Sequence, residues 1–417
     1  MKRNLTQWLE YQLSIHPQTI AMGVERVREV AKRMNLLKLP CPVISVAGTN
    51  GKGSTVAFIE AIAAASAYRI GAFTSPHFLN YNERIRVAGQ DASDALLIEA
   101  FEAIEIARAE IPLTYFEFGT LAALWVFARA KLDFIVLEVG LGGRLDAVNI
   151  IDADVAVITT VDLDHQAYLG DNRELIGFEK AGIMRPGKPC ILAEKDPPSS
   201  VLKHAYENGV YCVRGYSDYL IDRFDQHWTW REPGFSIDLP YPALQAPAQI
   251  QNAAAGIAAL RALDLPIAQN AWSIGIALAK ITGRLQAWRQ SPEVILDVAH
   301  NPQSVAQLAL WLEQNPKPTL AVFSALKDKD ITGMIASLKP FIQHWHVGVL
   351  AEPVDRTLFG SEMQAVFSAN LPESDFSIHD SVAQAYQEAL SAAGQSFRVL
   401  VFGSFHTLEA VMRHPQF

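Results

Sequence analysis

Short runs of apolar, mostly β-branched residues alternate with longer amphipathic segments between residue 43 and about residue 190. The short runs predict buried strands, and the i, i+3, i+4 spacing of apolar residues in the longer segments predicts helices. Alternation of this kind is typical of βαβ units, which build a parallel sheet covered by helices. The predicted strands are 43–47, 69–73, 133–139, 154–160 and 189–193, and the clearest helices are 93–109 and 119–131.

The second half of the chain changes its pattern and then returns to alternation. Residues 211–240, which include WTWREPGFSIDLP, predict a small β element, and a helix is expected over 248–263. Alternation resumes at Glu293 with EVILDVAHN and continues to the end of the sequence. We therefore predict an α/β protein with two domains and a short linker. The N-terminal domain is 1–286, the linker is 287–292 within the segment GRLQAWRQSP, and the C-terminal Rossmann-like domain is 293–417.

Composition indicates a globular protein that binds neither nucleic acid nor an anionic membrane. Half of the 417 residues are hydrophobic, and 35 basic against 44 acidic residues give a net charge of −9 without a basic run. These values disfavour binding to nucleic acid or to an anionic membrane surface. The three cysteines show neither a disulfide nor a metal spacing, and no apolar segment is long and uncharged enough to span a membrane. A cytoplasmic location is therefore expected.

The first predicted strand runs into a glycine-rich turn, VISVAGTNGKGST, that ends in a predicted helix. Glycines let backbone N–H groups approach anionic oxygens, Lys52 adds a positive charge, and the helix N-terminus adds its dipole. This combination predicts an ATP phosphate site, with a purely structural glycine turn as the alternative. The spacing differs from the common Walker pattern, because Val46 replaces its first glycine and Gly53 separates Lys52 from Ser54. The predicted ATP-binding residues are Gly48, Thr49, Asn50, Gly51, Lys52, Gly53, Ser54 and Thr55.

Polar residues also follow three other predicted strands. Because ligands of open parallel sheets bind outside the carboxyl ends of the strands, these residues are expected to line one crevice. Carboxylates beside a triphosphate suggest a Mg²⁺ site completed by phosphate oxygens and water. By residue type alone, His165 is as compatible with a metal ligand as with the alternatives, which are a phosphate contact and a buried hydrogen-bonding group. The residues in these positions are Ser75, His77, Glu138, Asp146, Asp162, Asp164 and His165.

Nine motifs occur in an order that resembles one protein family. They are GTNGKGST, SPHFLNYNERIRV, TYFEFGTLAALW, LEVGLGGRLDAVNI, LDHQAYLG, EKAGI, ILDVAHNP, LKDKDI and GSFHT, and they extend over nearly the whole chain. On these motifs the chain is similar to the folylpolyglutamate synthase family of the Mur ligase superfamily. The glycine loop and LEVGLGGRLD are the most specific of the nine.

The resemblance implies roles that the residues alone do not give. It implies Mg²⁺ ligands at Ser75, Glu138 and His165, with two metal sites, and a carboxylated lysine at Lys180, which by itself would pass for a solvated helix residue. Lys52, Lys180, Asp297 and His300 are the implied catalytic residues. The implied ATP contacts outside the glycine loop are Asn252, Arg284 and Asp297. The implied substrate contacts are Met22, Phe116, Asp146 and Ala147 for the acceptor and Asp297, His300 and Ser404 for L-glutamate.

Met22 and Phe116 are candidates for a pterin site because a flat heteroaromatic ring calls for an apolar or aromatic wall. From sequence alone Phe116 is also compatible with an ordinary core residue. The loop 16–28 is predicted to form a wall that is specific for dihydropteroate. Whether His300 also acts as a base is left open.

The activity that the resemblance implies is ATP-dependent addition of L-glutamate to dihydropteroate and to tetrahydrofolates through an acyl phosphate, by a monomeric enzyme. Bifunctional bacterial relatives commonly carry an acidic residue where this chain has Ala21. A folylpolyglutamate synthase without dihydropteroate activity is therefore the alternative.

Two rival interpretations share the glycine loop. A peptidoglycan Mur ligase carries a nucleotide-binding domain ahead of this loop, and only some forty residues precede it here. A regulatory P-loop protein would not need Glu138, His165 and Lys180 together. We therefore expect neither.

Overall fold

The computed structural model describes residues 3–16, 18, 20–350 and 357–413. The chain forms two compact units. Unit 1 contains Met1–Ala243 and Ile250–Lys280, and unit 2 contains Leu244–Gln249 and Ile281–Phe417. The second unit therefore begins earlier in the sequence than the predicted boundary at residue 293.

Unit 1 is built on one large sheet. Its strands within the described residues are β1 (Val43–Ala47), β2 (Ile70–Phe73), β3 (Ile85–Val87), β4 (Gln90–Asp91), β5 (Phe134–Glu138), β6 (Val155–Ile158), β7 (Pro189–Leu192) and β8 (Tyr211–Arg214). They lie in the order β4-β3-β2-β5-β1-β6-β7-β8. The six strands from β2 to β8 in this order are parallel, whereas β3 and β4 extend one edge in antiparallel orientation. Burial of β1, β2, β5 and β6 along their full length explains their continuous apolar sequence.

The helices of unit 1 begin where the sequence supplies caps. The side chain of Ser93 caps one helix, and Thr114 and Glu117 form a reciprocal capping box at the start of the next. Two short 3₁₀ turns occur at Tyr81–Arg84 and Ala147–Ile150. The α-helices with described bounds are α1 (Leu5–Ile15), α2 (Glu25–Arg33), α3 (Lys52–Ala65), α4 (Asp94–Arg108), α5 (Tyr115–Arg129), α6 (Gln166–Leu169), α7 (Arg173–Ala181), α8 (Ser199–Glu207), α9 (Gln249–Ala262) and α10 (Gln269–Leu278).

The predicted small β element is present but does not begin at residue 211. Tyr211–Arg214 forms β8, which pairs in parallel with β7 at the edge of the large sheet. The separate antiparallel sheet consists of β9 (Leu220–Arg223), β10 (Trp228–Glu232) and β11 (Phe235–Leu239). Its packing depends on Trp230, which is buried and stacks on Tyr219 at 5.6 Å between ring centroids.

Unit 2 contains a second, mainly parallel sheet. Its strands are β12 (Gln286–Gln290), β13 (Glu293–Leu296), β14 (Thr319–Phe323), β15 (Ile342–Gly348), β16 (Phe376–His379) and β17 (Arg398–Phe402). They lie in the order β12-β13-β17-β14-β15-β16, and all pairs except β12 with β13 are parallel. The helices are α11 (Pro302–Gln314), α12 (Ile331–Leu338), α13 (Gly360–Asn370), α14 (Val382–Ala393) and α15 (Phe405–Met412), with a 3₁₀ turn at Glu373–Asp375. This arrangement confirms the predicted second α/β domain.

The structure differs from the prediction at the linker. Residues 286–290 form β12 in an antiparallel hairpin with β13, so the segment 287–292 is a strand and a turn rather than a connection between domains. Pro292 interrupts a helical or strand pattern, and a two-strand hairpin places that interruption in its turn. No helix among the described residues combines the length and the apolar character that crossing a membrane requires.

Candidate active site

The loops that follow five neighbouring strands of unit 1 emerge at the same edge of the sheet. β2, β5, β1, β6 and β7 are adjacent and parallel, so their carboxyl ends lie side by side. The predicted polar residues follow β2, β5, β1 and β6 in this row. The topology therefore confirms that they belong to one edge.

The glycine loop after β1 is closely packed against its neighbours. Gly48 has φ +156°, and a β-carbon there would overlap Oγ1 of Thr159. Gly51 has φ +88°, and a β-carbon there would overlap Oδ1 of Asn252, which is a predicted ATP contact on α9. Glycine is required at both positions because any side chain would fill the space and strain the backbone. The structure thus brings Asn252 to the loop.

The loop is also held by the residues that follow β6. Thr49 Oγ1 donates to the carbonyl of Asp162 at 3.0 Å, and the amide of Asn50 donates to Thr160 Oγ1 at 3.0 Å. Lys52 Nζ donates to the carbonyls of Gly48 at 2.9 Å and Thr49 at 3.4 Å. Its charge is therefore held against the loop backbone. A preorganised loop of this kind suits phosphate binding.

Two hydroxyl groups at the start of α3 lack protein partners. Ser54 Oγ and Thr55 Oγ1 are buried, and neither makes a hydrogen bond within the described residues. Buried hydroxyls normally have a partner, because burying one without compensation is unfavourable. They sit in the first turn after Lys52, where the helix dipole favours an anion. These groups fit a nucleotide phosphate together with its metal ion.

Two of the three predicted metal ligands are joined by a hydrogen bond. The amide of Ser75 donates to Glu138 Oε2 at 3.1 Å, and Glu138 is buried at the end of β5. His165 lies in the loop after β6 with φ +51°, and its Nε2 is 3.9 Å from Asp164 Oδ2. No cluster of three or more His, Cys, Asp or Glu side chains in the described part of the chain has the geometry of a complete metal site. Phosphate oxygens and water would therefore have to complete the coordination.

Lys180 is buried, which corrects the expectation of a solvated helix residue. Its exposed fraction is 2%, and α7 carries it toward the edge where the glycine loop lies. Burial, with a contribution from the Lys52 ammonium, lowers the pKa of Lys180 to about 7. Asp164, Glu194 and Asp146 act in the opposite direction. A large fraction of the Lys180 side chains is therefore neutral near pH 7.

Asp146 belongs to the same group of charges. Its carboxylate accepts from the amides of Leu141 at 2.8 Å and Val148 at 2.9 Å, which fixes the turn after LEVGLGG. Burial raises the pKa of Asp146 to about 7 despite these bonds and the nearby Lys52. Ala147, the other predicted acceptor contact in this turn, is also buried. Asp146 therefore stabilises the turn through its two hydrogen bonds, and its carboxyl group can exchange a proton near pH 7.

Sequence reasoning missed Glu194. This residue directly follows the last of the predicted strands, 189–193, so the rule applied to the other strands would have identified it. Its carboxylate accepts from the amide of Val161 at 3.2 Å and pairs with Arg173 at 3.3 Å. Burial raises the pKa of Glu194 to about 7, and Asp162 contributes to the rise. Perturbed groups at one edge are typical of a functional site.

Met22 and Phe116 both approach the LEVGLGG loop after β5. The Phe116 ring lies against Gly140, where an added β-carbon would come within 2.5 Å of it, and its centroid is 5.9 Å from that of Phe73. A β-carbon added to Gly142 would lie 3.9 Å from Met22 Cε. The predicted loop 16–28 ends earlier than expected, because α2 begins at Glu25, and its residues 17 and 19 lie outside the described part of the chain.

The predicted glutamate residues of unit 2 follow adjacent strands of the second sheet. Asp297 is buried after β13 and accepts from the amides of Leu285 and Ala299, both at 2.8 Å. Burial raises the pKa of Asp297, and Arg284 and His300 oppose the rise. His300 Nδ1 donates to the carbonyl of Val298 at 2.8 Å, which fixes the orientation of the ring.

Ser404 follows β17 and has a clear structural role. Its Oγ caps α15 by accepting from the amide of Thr407 at 3.1 Å, and it shares a 2.7 Å hydrogen bond with Thr407 Oγ1. Thr407 Oγ1 in turn donates to the carbonyl of Ser324. The Arg284 guanidinium and the His300 ring both face Phe405, at 5.8 and 6.4 Å. The structure therefore brings Arg284, Asp297 and His300 together, with Ser404 at the start of the neighbouring helix.

Family models match most of the chain. Residues 46–219 match the Mur ligase middle domain, and residues 283–405 match the Mur ligase glutamate ligase domain. The chain is 44% identical over 412 residues to the dihydrofolate synthase/folylpolyglutamate synthase of Escherichia coli (strain K12), which covers 98% of this chain and 94% of that protein. It is 37% identical over 425 residues to the Haemophilus influenzae protein of the same name. That alignment covers 97% of this chain and 96% of the relative.

Solved structures agree with the sequence comparisons. Escherichia coli FolC in complex with DHPP and ADP superimposes with a TM-score of 0.92 at 43% identity, covering 98% of this chain and 97% of that chain. A bifunctional folylpolyglutamate synthase/dihydrofolate synthase with Mn, AMPPNP and L-glutamate bound gives 0.90 at 40% identity, with coverage of 98% and 97%. This chain therefore belongs to the dihydrofolate synthase/folylpolyglutamate synthase family of Mur ligases.

Proposed function

We propose that this protein uses ATP to join L-glutamate to two kinds of acceptor: dihydropteroate, which gives dihydrofolate, and reduced folates, which gives folylpolyglutamates. The observation that carries the proposal is the glycine loop, in which Gly48 and Gly51 leave a backbone cradle beside Lys52 and the two buried hydroxyls of α3. The bifunctional activity is preferred over a folylpolyglutamate synthase alone, since relatives up to 44% identical carry the bifunctional name.

The reaction needs activation because a carboxylate is a poor electrophile. The acceptor carboxylate attacks the γ-phosphorus of ATP, the bond to the bridging oxygen breaks, and ADP leaves. The glutamate amine then attacks the acyl carbon of the acyl phosphate, and the tetrahedral intermediate collapses with loss of phosphate and a proton. Both steps develop negative charge on phosphoryl oxygens, so fixed positive groups and N–H donors accelerate them.

The glycine loop and its neighbours would hold ATP. The amides of Thr49 and Asn50 donate to Thr160, so the other amides from Gly48 to Gly53 and the Lys52 ammonium would contact the phosphates. Ser54 and Thr55 would supply hydroxyls. Asn252, Arg284 and Asp297 are the further nucleotide contacts in this proposal. Lys52 is already oriented by the carbonyls of Gly48 and Thr49, so little reorganisation is required when phosphate binds.

Ser75, Glu138 and His165 would hold Mg²⁺. The metal supplies positive charge to the phosphate oxygens when it is bound. The Ser75 amide donates to the Glu138 carboxylate and so orients it. Two metal sites are part of the proposal, because the residues after β2, β5 and β6 all belong to the edge at which ATP would bind.

Lys180 is proposed to be carboxylated. Only the neutral amine adds to CO₂, and the lowered pKa of Lys180 provides it near pH 7. The amine nitrogen bonds to the carbon of CO₂ and releases a proton, which leaves an anionic carbamate. The product would turn an unfavourable buried cation beside Lys52 into an anion that attracts Lys52.

Asp297, His300 and Ser404 would bind L-glutamate, and Met22, Phe116, Asp146 and Ala147 would contact the acceptor. Asp297 and its two amide donors fix the turn that carries His300. Phe116 and Met22 provide an apolar surface beside the glycines of LEVGLGG. We propose that the enzyme acts as a monomer.

Release of phosphate during turnover tests the proposal. Phosphate should accumulate with Mg-ATP, dihydropteroate and L-glutamate, and omission of any one of them should stop steady-state release. A regulatory ATP-binding protein would hydrolyse ATP without regard to L-glutamate. Such glutamate-independent release would reject the proposed ligase.

A further inference from the structure

The arginine Arg84 is buried without a carboxylate partner. Its exposed fraction is 9%, and it ends the 3₁₀ turn Tyr81–Arg84 just before β3. Its side chain makes one hydrogen bond within the described residues, from Nε to His77 Nδ1 at 2.7 Å. The guanidinium carbon is 5.5 Å from the ring centroids of both Tyr81 and Tyr115. No aspartate or glutamate of the described chain forms an ion pair with it.

The other buried arginines are neutralised. Arg108 is 8% exposed and bonds to both oxygens of Glu105 at 2.7 Å, and Arg398 is 5% exposed with Glu293 at 3.4 Å. Arg86, which lies two residues after Arg84 and within β3, binds Glu60. A buried guanidinium without an anion is unfavourable, and two tyrosine faces compensate only in part. Arg84 is therefore the exception that lacks an anion.

The position of Arg84 connects it to the active-site edge. Its carbonyl accepts from the amide of Thr74 at 3.0 Å, and the next residue, Ser75, bonds to Glu138. One of the two tyrosines that the Arg84 guanidinium faces is Tyr115, which directly precedes Phe116 on α5. The Arg84 backbone is thus joined to the segment that carries Ser75, and its side chain contacts the residue that precedes Phe116.

The His77 contact leaves the two terminal nitrogens of Arg84 available. Arginine has no acceptor atom, so His77 Nδ1 must accept the hydrogen bond from Nε. That bond fixes the orientation of the guanidinium plane. The remaining nitrogens form a planar fork suited to a carboxylate.

We propose that Arg84 binds the carboxylate of the acceptor substrate, at the atom group that is phosphorylated. The inference rests on the proposed ligase function. An acceptor whose pterin lies on Phe116 must place its carboxylate toward the phosphate site, and the guanidinium beside Tyr115 is the positive group proposed to bind it there. By holding the carboxylate, Arg84 restrains the nucleophile before it attacks phosphorus. The same residue serves dihydropteroate and reduced folates, because both present a carboxylate to the same phosphate.

Binding measurements on Arg84→Gln test this role. By isothermal titration in the presence of ADP, dihydropteroate should bind the variant on the order of 30-fold more weakly than the unaltered protein. The analogue of dihydropteroate that lacks the carboxylate should bind both proteins within about 3-fold of each other, because it offers Arg84 no charge. ADP affinity should be unchanged. Equal weakening of both ligands would overturn the proposal, because it would assign Arg84 a structural role.

Stability and kinetics provide independent readouts. Arg84→Gln should melt no lower than the unaltered protein, since it removes an uncompensated buried charge, whereas Arg108→Gln should melt lower and keep its acceptor affinity. KM should rise for dihydropteroate and for tetrahydrofolate, with little change for L-glutamate. A rise confined to L-glutamate would overturn the assignment to the acceptor.

The unaltered protein separates this inference from the proposed function. If it forms no dihydrofolate and no folylpolyglutamate, the ligase proposal fails. The binding comparison of dihydropteroate with its carboxylate-free analogue still tests whether Arg84 binds the carboxylate. If Arg84→Gln does not fold, Arg84→Lys carries the test. Acceptor affinity below that of the unaltered protein, with ADP affinity unchanged, supports the proposal, and unaltered acceptor affinity overturns it.

Discussion

The ammonium of Lys52 lies near enough to Lys180 to lower the pKa of that buried lysine, although the two residues belong to different helices, α3 and α7. Lys52 is the positive group of the glycine loop, and a second cation beside it would compete for the same phosphate oxygens. A neutral or carboxylated Lys180 removes this conflict. The pair therefore links the phosphate cradle to the state of one lysine.

Carboxylation of Lys180 is directly observable. With ¹³C-labelled bicarbonate, the unaltered protein should show a carbamate ¹³C signal that is absent from Lys180→Met and present in Lys188→Met, since Lys188 is an exposed lysine paired with Asp154. Activity should fall in CO₂-depleted buffer and return on adding bicarbonate. Lys180→Ala should be inactive, with partial rescue by small carboxylic acids. Full activity of Lys180→Ala would show that no carbamate is required.

A histidine cluster of unit 2 should make the stability of the folded protein fall at acidic pH. His346 on β15 is buried, its Nδ1 is 3.2 Å from His379 Nε2, and burial with His344 and His379 lowers its pKa to about 4. Burial also lowers the pKa of His379, which Glu388 and Asp380 oppose. Because the folded-state pKa lies below the ordinary value, the unfolded chain takes up the proton first. Stability is therefore lost as pH falls from about 6.5 towards 4.

The variant His346→Leu should lack this loss. Its free energy of unfolding from urea titrations should change less between pH 6.5 and 4 than that of the unaltered protein, by up to about 3 kcal/mol. Parallel pH profiles for the two proteins would mean that His346 does not titrate differently in the folded state.

Gly51 should be essential for two separable reasons. Gly51→Ala strains a backbone with φ +88° and places a methyl group against Asn252 Oδ1. Gly234 is the matched control, because its φ is +79° but an added methyl group would meet no atom within 4 Å. The control should lose about 1–2 kcal/mol of stability from backbone strain alone. Gly51→Ala should lose more and should also bind ATP at least about tenfold more weakly, as the loss of a charged hydrogen bond requires. Equal ATP affinity in both variants would argue against the cradle.

Much of the fold followed from local sequence pattern. β1 was predicted with its observed bounds, 43–47, because a buried parallel strand is apolar throughout and ends at a glycine. The hairpin of β3 and β4 and the strand β12 were not predicted. β3 and β4 have only three and two residues. β12 contains Gln286, Arg289 and Gln290, so its pairing depends on backbone contacts with β13 rather than on apolar residues.

The site was less predictable, because burial is decided by distant packing. Nothing within EKAGI distinguishes a buried Lys180 from an exposed one, and its pKa depends on Lys52 and on the carboxylates after β5, β6 and β7. The proximity of Asn252 to Gly51 likewise arises from the packing of α9 against the loop. The roles of individual site residues remain predictions.

Met22 should discriminate between the two acceptors. Met22→Asp places a carboxylate near Gly142 of the LEVGLGG loop, where an apolar wall is proposed for dihydropteroate. Desolvating that charge should reduce kcat/KM for dihydropteroate by about tenfold or more and leave tetrahydrofolate turnover nearly unchanged. Met22→Leu should preserve both. An equal loss for both acceptors would indicate one shared pterin pocket.

Identification of the products by mass spectrometry tests the central claim most directly. The purified protein is incubated with Mg-ATP and L-glutamate, with either dihydropteroate or tetrahydrofolate as the acceptor. We expect one added glutamyl residue on dihydropteroate and one or more on tetrahydrofolate, each requiring ATP, and a loss of about 100-fold or more in Lys52→Ala. Glutamylation of tetrahydrofolate without any dihydrofolate formation would reduce the activity to that of a folylpolyglutamate synthase, and absence of both products would contradict the account.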